Sequence, residues 1–263
     1  MRLGRIRKAG FQRHFQRGLR LWVISGGCNL DGKAVNWRGR CSSTYKISSN
    51  NEDGYNDMPS GTNSSRRLFG LTVRQNAHPD MRRLRREAGD PSLHGNKFWK
   101  SSCLIMDYLK RNPLQQGARV LDLGCGWGLG GIFCAKHFDA KVTGLDADPS
   151  VFPFLEYHAE LNGVAVKTWR CYYERVRKQD LAGFDAVIGT DICFWDKLEE
   201  PLYNLTRRAM QAGVGRVVLA DPGRSPFRRL AERAADKLDA TYCEWRVSRP
   251  MAASGCLMIA EQR

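Results

Sequence analysis

From about Leu93 onward, short apolar runs alternate with segments whose apolar positions recur at helical spacing. Residues 98–110 place Leu104, Ile105, Tyr108 and Leu109 on one helical face ahead of Pro113, which predicts a helix. Strand-like runs follow at residues 119–123, 141–146, 166–171, 184–190 and 216–220. Helical patterns fall between or after them at 129–138, 149–161, 199–211 and 226–238. Asp148-Pro149 is a helix entry, with Asp as the cap and Pro at the first helical position. Strands that alternate with helices imply βαβ units and a parallel sheet covered on both faces. Residues 241–247 and 255–260 have no helix between them, so they are expected to pair as an antiparallel hairpin at the sheet's edge. The predicted fold is therefore α/β, a doubly wound and mostly parallel seven-stranded sheet that closes with that hairpin.

Residues 1–80 break this pattern. They open on Arg2, Arg5, Arg7, Lys8, Arg13, Arg17 and Arg20 without an acidic residue before Asp31, and pass into a Ser/Asn/Gly stretch from Ser42 to Ser65. Such composition does not supply enough apolar surface for a core. The expected organisation is a basic segment without a fold at 1–80 and one domain at 81–263. Two readings of the segment stand side by side. Leu3, Ile6, Phe11, Phe15 and Leu19 can share a loose helical face, as in an organelle transit peptide, which would place the protein in the mitochondrial matrix. Alternatively the segment is an extension upstream of a start at Met81, and the protein is cytoplasmic.

Composition limits the classes further. With 42% hydrophobic and 26% charged residues and a mean hydropathy of −0.47, the 263-residue chain can bury a core and is not disordered throughout. No apolar run approaches the roughly 18 residues of a membrane span, so no membrane partner is expected. Residues 1–80 hold 14 Lys and Arg against 5 Asp and Glu, while residues 81–263 hold 28 against 22. Most of the net charge of +15 thus lies outside the regular part. The nine cysteines include no CxxC pair and no Cys/His cluster at zinc spacing. Cys103, Cys134 and Cys193 fall inside apolar segments as free thiols, which fits a reducing compartment.

The chemistry concentrates where residues 120–123 run into Gly124-Cys125-Gly126-Trp127-Gly128. Glycines there permit a tight turn and close approach of a ligand to the backbone. Gly126-Trp127-Gly128-Leu129-Gly130-Gly131 also satisfies GxGxxG, but it starts two residues late for a dinucleotide loop, and no phosphate-binding GxxxxGK[ST] is present. The D-x-G-x-G-x-G arrangement from Asp122 to Gly128 resembles motif I of the class I, seven-β-strand S-adenosylmethionine-dependent methyltransferases, and the resemblance covers roughly residues 93–263. It implies a Rossmann-like sheet with S-adenosylmethionine lying along Asp122, Gly124, Gly126 and Gly128. It also implies that Asp146, at the end of the second strand, takes the ribose diol, as a carboxylate accepting two hydrogen bonds can. Cys171 and Tyr172, after the third strand, would border the adenine, with Tyr172 stacking on the base. These two tyrosines, Tyr172 and Tyr173, have an ordinary reading as surface or core aromatics as well.

The run after the fourth strand, Asp191-Ile192-Cys193-Phe194, is similar to the D-x-x-[YF] motif of methyltransferase family 16, whose characterised members are mostly protein lysine methyltransferases. Residues 95–108 look like that family's entry segment, with Trp99 at the tryptophan bordering the cofactor and Lys100 where a proline commonly follows. Asp221-Pro222-Gly223-Arg224 is similar to a turn in the branch with the electron-transfer-flavoprotein β-subunit lysine methyltransferases and bacterial relatives. On this resemblance Asp191 holds the incoming amine beside the cofactor, Phe194 and Trp195 form an apolar wall, and the partner is a protein acted on by a monomer. Each motif has a structural reading too: Asp191 as a helix cap and Asp-Pro-Gly as a plain turn. A small-molecule N-methyltransferase taking a nicotinamide-type acceptor would need the same apolar pocket. An RNA methyltransferase would use the run Arg82, Arg83, Arg85 and Arg86. A regulatory module that binds the cofactor without transferring its methyl group is the reading outside enzymology.

Overall fold

The computed structural model describes residues 64–89, 91 and 94–262; everything expected of residues 1–63, including the transit-peptide helix, lies outside the described residues. The first elements are two short strands, β1 (Ser65–Leu68) and β2 (Leu71–Arg74), joined by Phe69-Gly70 with φ of 50° and 79°. Two consecutive left-handed residues make a turn whose twist matches a hairpin. Leu68, Leu71 and Val73 are buried in the main core. The expectation of a segment without a fold therefore does not hold for residues 64–80. Its signal was faint because strands of four residues are too short to show periodicity against a polar background.

What fastens the hairpin is polar. Helix α1 (Pro79–Ala88) follows it, and α4 (Phe152–Leu161) packs against β2. The Asn162 side chain accepts from the Thr72 N–H (2.8 Å) and donates to the Thr72 carbonyl (2.9 Å), acting as one rung of a further strand. His158 of α4 is fully buried, with Nε2 accepting from the Arg74 N–H at 3.3 Å and Nδ1 2.8 Å from the Phe154 carbonyl. Burial lowers its pKa to about 4, so the ring stays neutral, and the Arg74 contact assigns its proton to Nδ1.

The main sheet has the order β5-β4-β3-β6-β7-β9-β8. Strands β3 (Arg119–Leu123), β4 (Lys141–Asp146), β5 (Val166–Arg170), β6 (Ala186–Thr190) and β7 (Arg216–Asp221) are parallel. β9 (Ala253–Glu261) lies antiparallel to both β7 and β8 (Thr241–Val247), so the last strand is inserted inside the edge that β8 forms. Helices α2 (Ser101–Arg111), α3 (Leu129–Phe138) and α4 share one apolar cluster on one face of the sheet. Helices α5 (Lys178–Leu181), α6 (Glu199–Gln211) and α7 (Ser225–Leu238) share another with its opposite face. Chain order reverses between β3 and β6, and a crevice opens there beyond the carboxyl ends of the strands. No helix among the described residues is long and apolar enough to cross a membrane.

Candidate active site

β3 delivers the glycine loop to this crevice. Gly124, Gly126 and Gly128 all have positive φ (54°, 50° and 70°), a conformation that L side chains resist. They differ in surroundings. A side-chain carbon on Gly124 would meet the Tyr173 hydroxyl at 2.5 Å and Ile192 at 2.6 Å, and one on Gly128 would overlap Leu155, whereas Gly126 faces open space. Backbone left open beside a positive-φ glycine is a cradle for a ligand.

Asp122 does not face that cradle. It is 4% exposed, and Oδ2 accepts the Gly131 N–H at 2.9 Å, so it ties the end of β3 to the first turn of α3. Burial raises its pKa from 3.8 to about 7. A carboxyl that is a weaker acid in the folded chain supports stability that is complete below 3.8 and is lost as pH rises through about 7. Asp122→Asn keeps an oxygen for Gly131 and removes the titration. Urea unfolding at about pH 5 and pH 8 is expected to show the wild type losing up to roughly 3 kcal/mol more than the variant. An equal loss in both proteins would remove Asp122 as the cause.

Asp146 is tied to the glycine loop instead. Its Oδ2 accepts the Gly126 N–H (3.2 Å) and Oδ1 the Asp148 N–H (3.0 Å), which leaves lone pairs for a diol. Burial is the main cause that raises its pKa, against these N–H donors. Asp148 also accepts from the Ser150 N–H, the cap its sequence predicts. Beyond β5 the Cys171 N–H donates to the Asp146 carbonyl at 3.0 Å, which sets Cys171 at the crevice. Tyr172 is 57% exposed, while the neighbouring Tyr173 places its hydroxyl against Gly124.

At the ends of β6 and β7 two buried carboxylates share one guanidinium. Arg224 donates from Nη2 to Asp191 Oδ1 and from Nη1 to Asp221 Oδ2, both at 2.8 Å. Asp221 is satisfied further by the Gly223 and Arg224 N–H groups, but Asp191 Oδ2 is buried without a partner. Asp191 sits at φ 58°, which Asp tolerates better than most residues, and its N–H still reaches the Ala220 carbonyl. It caps no helix. The Asp-Pro-Gly-Arg run is thus a turn that also presents the cation to Asp191.

Asp191 and Arg224 line a cleft of about 1090 Å³ together with Trp99 and Trp127. Trp99 is fixed by its Nε1–H to the His94 carbonyl (2.8 Å), and Trp127 by its own to the Gly95 carbonyl (3.1 Å). Phe194 stands apart from this lining. Its ring stacks on His94 at 3.9 Å, with Trp195 edge-on to both. Burial, then the charge of Arg224, lowers the His94 pKa, so the stacked imidazole is neutral. His94 and Tyr173 are the site residues not anticipated in the sequence, where the turn of Arg224 is open to a role in shaping the substrate mouth. Arg224 lay within a noted turn, and nothing in the local pattern marked His94.

Residues 120–213 match the model of a family described as a methyltransferase domain. That stretch contains the glycine loop, Asp146 and Asp191, of which Trp127 and Asp191 line the cleft. Over this stretch the chain carries a methyltransferase domain. Among curated proteins, the chain is 27% identical over 131 residues to the electron transfer flavoprotein beta subunit lysine methyltransferase of Danio rerio, covering 49% of this chain and 50% of that one. It is 29% identical over 157 residues to the ribosomal protein L11 methyltransferase of Cupriavidus necator, covering 59% and 46%. It is 33% identical over 117 residues to a ubiquinone biosynthesis O-methyltransferase of Cereibacter sphaeroides, covering 42% and 44%. The chain spans about half the length of the curated relatives it matches.

Proposed function

We propose that the protein transfers the methyl group of S-adenosylmethionine to the side-chain amine of a lysine in a protein. The observation that carries this is the pair Asp191 and Asp221 sharing Arg224, with Asp191 lining the cleft and its Oδ2 buried and unpartnered. Two carboxylates and one guanidinium leave a net negative charge, and the spare oxygen invites a hydrogen-bond donor that is cationic or easily made so. A lysine amine meets that description; an aromatic hydroxyl does less well, since its product oxygen has no proton to give.

The cofactor fits the residues present. Gly126 leaves backbone open to it, Asp146 holds the diol, Cys171 and Tyr172 border the base, and Trp99 borders its amino-acid end. When bound it supplies a methyl group on a positively charged sulfur, a leaving group already activated. The protein's part is then alignment and exclusion of water. Asp191 Oδ2 accepts an N–H of the amine and turns the lone pair toward the methyl carbon, Arg224 keeps Asp191 in place, and the Phe194–His94 stack holds the adjoining backbone. The nitrogen–carbon bond forms as the carbon–sulfur bond breaks, and the amine releases one proton to water.

The test joins binding to transfer. Titration of the full chain with S-adenosylmethionine is expected to show one site, and tritiated cofactor added to a cell lysate is expected to label protease-sensitive bands that yield methyl-lysine on hydrolysis. Label confined to RNA or to small molecules would overturn the lysine reading, and absence of binding would overturn the cofactor assignment.

A further inference from the structure

The cleft that holds Asp191 has a charge pattern that the lysine reading does not use. Arg66 of the β1–β2 hairpin, Lys97 and Lys100 ahead of α2, Arg224 after β7 and Arg246 of β8 all line it. Asp191 is the one acidic group among the residues that line the cleft, and Arg224 already pairs with it. Arg66, Lys97, Lys100 and Arg246 are exposed, and none has a carboxylate partner among the described residues. Lys97 lies 4.3 Å over the Trp99 ring.

Unpaired cations brought to one rim repel each other, and a ligand of opposite charge relieves that repulsion. The geometry points to a docking site for an acidic stretch of polypeptide, with carboxylates on the cationic rim and the target lysine between them at Asp191. This rests on the lysine reading and names its substrate class. The pattern of a positive rim around a negative centre matches a lysine flanked by acids and opposes one within a basic run. RNA fits less well: base recognition on single strands relies on open aromatic faces. The large exposed aromatics among the described residues, Tyr172 and Trp195, do not line this cleft, and Trp99 is covered by Lys97.

The experiment uses the full chain and two fluorescein-labelled peptides, one with Glu flanking a central lysine and one with Gln in those places. Fluorescence anisotropy is expected to show the acidic peptide bound at least about tenfold more tightly at low salt, and the preference falling between about 50 and 300 mM salt. Arg66→Glu with Arg246→Glu is expected to remove the preference, while affinity for S-adenosylmethionine and the thermal midpoint stay at wild-type values. Equal binding of both peptides, an unaffected double variant, or a single-stranded RNA that displaces the acidic peptide more effectively than the unlabelled peptide does would each overturn the proposal. Methylation of the bound peptide is read separately. Charge-dependent binding without methylation upholds the docking site and removes the lysine reading, whereas methylation blind to the flanks does the reverse.

Discussion

Asp191→Asn is expected to lower methyl transfer by about 10²- to 10³-fold, the range associated with loss of one positioned hydrogen-bond partner of the reacting group. The affinity for S-adenosylmethionine is expected to stay within about threefold, less than 1 kcal/mol. Asn tolerates the φ of 58° that this position demands, and its remaining oxygen can still receive Arg224, so the backbone of the turn is kept. What changes is the atom that has no partner. An NH₂ group there turns a donor toward the incoming amine, and the negative charge that Arg224 leaves uncompensated is lost. Isothermal titration for the cofactor and single-turnover transfer separate these effects. Turnover within a few-fold of wild type would show that Asp191 is structural.

Gly128→Ala carries the second large effect, on stability. The residue is the N-cap of α3 at φ 70° and ψ 21°, and the left-handed conformation costs an L side chain roughly 1–2 kcal/mol. A methyl group there would also overlap Leu155, which is 1% exposed and wedged between Gly128 and Gly144, where a further side-chain carbon would lie 2.7 Å from it. Overpacking of this kind adds about 1–3 kcal/mol. The expected loss in urea unfolding is therefore about 2–5 kcal/mol, a large part of a typical domain's stability, with weaker cofactor binding because the loop must shift. Leu155→Ala in the same chain should restore part of the loss, since the two changes share one contact. A variant as stable as wild type would mean that the loop yields.

The main sheet was legible because its strands and longer helices from residue 119 onward are long enough to state their period, and predicted bounds such as 129–138 and 241–247 coincide with α3 and β8, whereas the four-residue α5 went unmarked. The final strand extends further than its apolar run, over Ala253–Glu261, since pairing with both β7 and β8 supports residues that hydrophobicity does not mark. The hairpin at 65–74 was illegible because its anchors, His158 and Asn162, are some 84 to 90 residues away in sequence. The glycine loop, Asp146 and Asp191 could be singled out by spacing, but not their neighbours. Whether Asp122 faces a ligand or the helix behind it depends on which side of β3 its side chain takes. Likewise, that Arg224 rather than water meets Asp191 is a fact of two strand ends lying side by side.

The hairpin has one more implication. Residues 120–213, which identify the domain, hold Asp146 and Asp191 but none of Arg66, Lys97, Lys100, Arg224 or Arg246. The glycine loop, Asp146 and Asp191 thus lie in one stretch of the chain and the cationic rim of the cleft in its two flanks, with Arg224 joining the two through Asp191. Selection can retarget such an enzyme by editing its margins, so shared ancestry in the centre is a poor guide to which substrate each descendant accepts.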